Sequence, residues 1–149
     1  MKVIAAVLLS ILPMIAWAQG FDTAVDFGIE LSSLDDPEVV AKVVEDGRIV
    51  ILEGLLGDAV IENGADGTRV LVTLVGGSWI GTDEVRSYSC MIIFDGARWV
   101  DVFPGVKPKE PSEDYVPQGS RLLVAAKVIG IDDKTGIPTA EMVDFRILK

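Results

Sequence analysis

The stretch "RIVILEGLLGDAVIE", Arg48 to Glu62, is rich in Ile, Val and Leu and is interrupted by Gly54 and Gly57. Aliphatic and β-branched residues in this density favour an extended chain, and a glycine inside a strand marks a bulge or a sharp bend. It therefore reads as one long strand that bends at its glycines. Downstream, "NGADG" (Asn63 to Gly67) is a turn, and "TRVLVTLVGGSWI" (Thr68 to Ile80) is a second strand with Gly76-Gly77 near its end. After "GTDE" a third strand runs from Val85 to Phe94. Asp95-Gly96 then predicts a two-residue hairpin that returns the chain as Ala97 to Phe103, because this pair tolerates the positive φ of a type I′ turn. "PGVKPKEPSEDYVPQG" (Pro104 to Gly119) holds four prolines and is excluded from a central strand. "SRLLVAAKVIGI" (Ser120 to Ile131) and "PTAEMVDFRIL" (Pro138 to Leu148) form a closing pair joined by the turn "DDKTG". In the last strand, Val143, Phe145 and Ile147 are expected on one face and Asp144 and Arg146 on the other.

Upstream, Phe21 to Leu34 reads as an arm crossing the domain. "LDDPEVVAKVVEDGR" then carries helix signals: Asp35 or Asp36 to cap, Pro37 at the first position, Glu38 at the positive end and Gly47 at the stop. A helix over Pro37 to Asp46 is expected, with Val40, Val43 and Val44 as its apolar stripe. Further back, Lys2, the apolar run Val3 to Ile15 and Ala16-Trp17-Ala18 have the order of a secretory signal peptide over residues 1–18. Cleavage after Ala18 leaves no membrane anchor and a bacterial periplasmic or secreted destination. The remaining 131 residues fit one domain with a real core. Cys90, the single cysteine, reads as a small buried hydrophobe in mid-strand.

The order of one long glycine-kinked strand, a meander, a long linker and a closing pair resembles the OB-fold. In that fold the first strand bends sharply enough to pair with two neighbours. The resemblance covers Gly47 to Lys149 and rests on "VILEGLLG", "DGARWVDVF" and "GSRLLVAAKVIGIDD…VDFRIL". It implies a mainly β chain: a small Greek-key (OB-like) barrel of five to six strands over residues 47–149, preceded by one short α-helix in an acidic N-terminal arm over residues 19–46. Where that fold carries a helix before its fourth strand, this chain has the proline-rich stretch.

The whole chain has a net charge of −10. Gln19 to Asp66 holds 12 acidic and 2 basic residues, whereas Gly67 to Lys149 holds 11 and 10, so the acidity belongs to the front third. There is no histidine, which excludes Ser-His-Asp and Cys-His catalysis and imidazole-ligated zinc. "GLLGDAV" lacks the Lys-Ser/Thr of a phosphate-binding loop. The acids Glu53, Asp58, Asp83, Glu84, Asp132 and Asp133 sit in turns or beside glycine, as backbone chemistry alone requires. Neither "NGADG" nor "DDKTG" has the spaced acid ladder of a calcium loop. No enzymatic activity, cofactor or metal is expected.

The expected function is an exported, non-enzymatic binding or accessory domain. It would engage a protein, peptide or small ligand, its acidic region favouring a basic one, through the Thr68–Ile80 and Val85–Phe94 face and nearby loops. The candidate contacts are Trp79, Arg86, Tyr88, Arg98 and Trp99, which flank the predicted hairpins. A carboxylate-based hydrolase and a nucleic-acid-binding OB domain are the alternatives, with the acidic arm disfavouring a phosphate backbone.

Overall fold

The computed structural model describes residues 24–149. The expected signal peptide over residues 1–18 and its cleavage point lie outside the described residues. The elements are β1 (Val25–Asp26), α1 (Pro37–Asp46), β2 (Ile49–Gly64), β3 (Gly67–Ile80), β4 (Glu84–Asp95), β5 (Arg121–Ile131) and β6 (Pro138–Leu148).

The long strand does what its glycines foretell. The first half of β2 pairs antiparallel with β5, from Ile49 opposite Lys127 to Leu55 opposite Arg121. Its second half pairs with β3, from Leu55 opposite Val75 to Gly64 opposite Gly67, with a register shift between Leu56 and Ala59. Gly57 lies inside that shift, where a Cβ would stand 3.0 Å from the Thr73 carbonyl oxygen. β3 and β4 form an unbroken antiparallel ribbon from Arg69 opposite Asp95 to Ile80 opposite Glu84. β6 runs parallel to β4 over Met91–Ile93 and antiparallel to β5 along its length. The circuit β2-β3-β4-β6-β5-β2 closes, and β1 adds two residues in parallel on the outer edge of β2. This is an OB-like five-stranded barrel with one extra strand and a short helix ahead of it.

Alternation decides what fills it. Val50, Leu52 and Leu56, then Val70, Val72 and Leu74, then Cys90, Ile92 and Phe94, and Leu122, Val124, Ala126 and Val128 all point inward and are buried. Near the Gly76 end of the β3–β4 ribbon the arm supplies a cover. Leu31 and Leu34 come from a 3-10 turn (Leu31–Asp35), and Val40 and Val43 from α1. α1 is built as its caps require: the Asp36 carboxylate accepts from the Glu38 N–H at 2.9 Å, and Gly47 ends it at φ 63°. Val44 is exposed rather than part of the stripe, while Val39 packs against the core. Near the Phe94 end, Phe103 and, from the proline-rich stretch, Val116 are buried instead of a helix.

Two local expectations are corrected. Ala97 to Phe103 is not a strand: Ala97–Trp99 is a 3-10 turn. β4 already has β3 on one side and β6 on the other, so no edge is left for a returning strand. The Trp99 ring instead packs edge-on against Phe94 at 5.2 Å, and its indole donates to the Asp95 carbonyl at 3.1 Å. In β6 the register slips between Met142 and Asp144, so Val143 has no cross-strand partner and is exposed, while Phe145 packs against Phe94 and Phe103.

Candidate functional site

Because Val70, Val72 and Leu74 face inward, Arg69, Leu71, Thr73, Val75, Gly77 and Trp79 share the outer face of β3. The register sets Asp95, Ile93, Met91, Ser89, Ser87 and Val85 beside them on β4. From Arg69 to Trp79 this track is about 33 Å long at ~3.3 Å per residue. α1 packs on β5, and the 3-10 turn Leu31–Asp35 packs on β4, where Leu34 and Asp35 line an opening with Ser87 and Ser89. Trp79, at the hairpin end, is 72% exposed. An exposed tryptophan is a flat apolar platform with an N–H donor at its rim.

At the Arg69 end the track opens into a groove of about 520 Å³ bounded by β3, β4, β6 and the 3-10 turn. Its charged lining is Arg69, Asp95, Arg98 and Glu141, and its apolar lining includes Trp99 and Met142. The Arg98 guanidinium lies over the Trp99 ring, 4.5 Å from its centroid, in cation–π geometry. Arg69 is held by Glu62 at 2.7 Å, Arg86 by Asp35 at 2.8 Å, Arg146 by Asp144 at 2.8 Å, and Arg121 by Glu53. Arg98 has no carboxylate partner among the described residues.

The five candidate contacts therefore separate. Trp79 stands at one end of the outer track, and Arg98 with Trp99 at the other. Arg86 and Tyr88 have the opposite alternation. Arg86 reaches the arm at Asp35, and the Tyr88 hydroxyl hydrogen-bonds Ser78 Oγ at 2.8 Å. Tyr88 lines a separate opening of about 440 Å³ with Glu30, Leu31, Glu53 and Gly76. Sequence reasoning missed Arg69, Asp95, Glu141 and Met142. Counting alternate residues back from Trp79 would have found Arg69, whereas Glu141 and Met142 arrive only through the parallel β4–β6 pairing.

Three of the six carboxylates weighed for catalysis are spent locally. Glu53 binds Arg121, Asp58 accepts from Gln118 at 3.3 Å, and Asp132 accepts from the Thr135 N–H and hydroxyl at 2.8 and 2.7 Å. The Thr135 bonds hold the Asp132 carboxyl below its ordinary value. Among the described residues no group of three His, Cys, Asp or Glu is placed to hold a metal ion, and no helix is long and apolar enough to cross a membrane. Cys90 is fully buried, and desolvation pushes its thiol up to about 12.

No protein-family model matches the chain, and no curated protein matches it. Solved structures do. A small single-stranded DNA-binding protein from Streptomyces coelicolor is similar at 11% identity and a TM-score of 0.45, over 67% of this chain and 91% of that one. A mitochondrial single-stranded DNA-binding protein from S. cerevisiae matches at 14% and 0.42, over 68% and 93%. A Plasmodium falciparum SSB in complex with ssDNA matches at 18% and 0.41, over 68% and 94%. The sequence-based ranking, with an exported protein- or peptide-binding domain first and nucleic acid disfavoured, is corrected: the structures found are named as single-stranded DNA-binding proteins. The physical reason is that the front-third acid that reaches this face, Glu62, is paired with Arg69, whereas Arg98 has no ion-pair partner among the described residues.

Proposed function

We propose that the barrel binds single-stranded nucleic acid, without catalysis, along the outer track of β3 and β4 from Trp79 to the Arg98–Trp99 groove. The observation that carries this reading is Arg98: an exposed guanidinium stacked on an indole, with no ion-pair partner among the described residues, in a groove at the end of a strand face that carries the exposed Trp79. Bases stack on aromatic and guanidinium planes, each contributing about 1–3 kcal/mol, and the same guanidinium donates to phosphate. Duplex hides its bases inside the helix and offers nothing to stack on this face.

The test is fluorescence anisotropy of a labelled 15-nucleotide oligo(dT) and of a duplex of equal length. The single strand is expected to bind, with Trp79→Ala and Arg98→Ala each weakening it by about tenfold. Equal binding of the duplex, or full affinity in both variants, overturns the reading.

A further inference from the structure

We propose that the groove beside Trp99 is a guanine-reading pocket, a deepening that rests on the single-strand reading above. Asp95, Arg98 and Glu141 line one groove, and none forms an ion pair among the described residues. The pairing choices around them make this notable. Arg69 stands directly opposite Asp95 in the β3–β4 register, yet it turns to Glu62, donating from both Nε and the terminal nitrogen. Lys127 stands opposite Glu141 in the β5–β6 register and makes no ion pair with it. The groove thus presents carboxylate acceptors and guanidinium donors together, beside the apolar surface of Trp99 and Met142, within the ~300–1,000 Å³ range of small-ligand sites.

The bases differ in how they meet such a set. Guanine has adjacent N1–H and N2–H donors on one edge, matching a carboxylate, and adjacent O6 and N7 acceptors on another, matching a guanidinium. Thymine sets its single N–H between two carbonyl oxygens, which a carboxylate repels. Adenine and cytosine each place an acceptor nitrogen beside the amino group, so a carboxylate gains one bond and faces a lone pair. Only guanine satisfies both charges at once.

The experiment uses the full chain and four 15-nucleotide strands: oligo(dT), and oligo(dT) with one central dG, dA or deoxyinosine. Deoxyinosine keeps O6, N7 and N1–H and lacks only the N2 amine. The dG strand is expected to bind about tenfold tighter than oligo(dT), and the dA strand no tighter. Deoxyinosine should lose most of the gain. Asp95→Asn keeps the backbone carbonyl that receives the Trp99 indole, and Glu141→Gln provides a second variant. Loss in either variant of the ratio between dG-strand and oligo(dT) affinity supports the pocket. Equal affinity for dG, dA and deoxyinosine strands, or a preference that survives both substitutions, overturns it while single-strand binding stands. No binding of oligo(dT) overturns both readings.

Discussion

Gly54 of β2 lies so close to Leu74 of β3 that a Cβ there would stand 2.7 Å from the Leu74 Cγ and 2.9 Å from the Val75 carbonyl oxygen. This is where β2 exchanges β5 for β3 as its partner, so the approach of two backbones is what allows the barrel to close. Gly54→Ala is expected to destabilise the fold by about 1–3 kcal/mol, the cost of overpacking a filled interior. Gly64 has nothing within 4 Å of its would-be Cβ, so Gly64→Ala should stay within about 0.5 kcal/mol. Urea unfolding midpoints for the two variants make the comparison.

Cys90 supplies a pH signature. Its folded pKa is raised by desolvation to about 12 from an ordinary 9.0. The stability its neutral thiol contributes is therefore complete below pH ~9 and declines as pH rises through the folded value. A thiol reagent at pH 8 should label Cys90 only at the rate of opening, and a fast stoichiometric reaction in native buffer would contradict its burial. Cys90→Ala leaves a small cavity, and Cys90→Ser, which places a hydroxyl in an apolar core, should cost about 1–3 kcal/mol more than Cys90→Ala does.

Salt separates stacking from charge. The outer track brings two guanidiniums to a single strand, Arg69 and Arg98. With a slope of ~0.7 per phosphate neutralised, the logarithm of Kd should rise by no more than about 1.4 per tenfold increase in salt. A slope near 4 or above, measured with oligo(dT) from 50 to 500 mM NaCl, would place the phosphates on another surface.

Arg86 is the control. Its guanidinium is held by Asp35 of the arm rather than facing the outer track. Arg86→Ala should leave oligo(dT) affinity unchanged. Because the pair is exposed, the substitution should shift stability by at most about 1 kcal/mol. A tenfold loss of affinity would move the interface to the Tyr88 opening.

What the sequence made legible was local. α1 begins and ends at the residues that cap it, because Asp36, Pro37 and Gly47 act within a few bonds of the backbone they terminate. The kinked first strand showed itself through Gly54 and Gly57 for the same reason. Asp95-Gly96 misled because its turn chemistry is a local preference, and β6, from the far end of the chain, takes the edge a hairpin would have needed. The site divides along the same line. Arg98 and Trp99 are sequence neighbours and were singled out together, as was the exposed Trp79. Arg86 and Tyr88, grouped with them by sequence, take the opposite alternation, since flanking a predicted turn does not say which side of a strand a residue takes. Glu141 enters only when a parallel pairing is known, and parallel pairing leaves no turn to announce it.

β6 also sets an order of events. Until Pro138–Leu148 slots between β4 and β5, both of those strands keep a bare row of amides and carbonyls, and the apolar lining of the half-built wall stays wet. β6 meets β5 through a short hairpin, but its pairing with β4 joins Met91 to Thr139, and β2 meets β5 from Ile49 to Lys127; such distant contacts are the kind of step that slows assembly. A newly synthesised chain therefore spends its most vulnerable interval waiting for its final strand, with ragged edges inviting a neighbour to fill the gap.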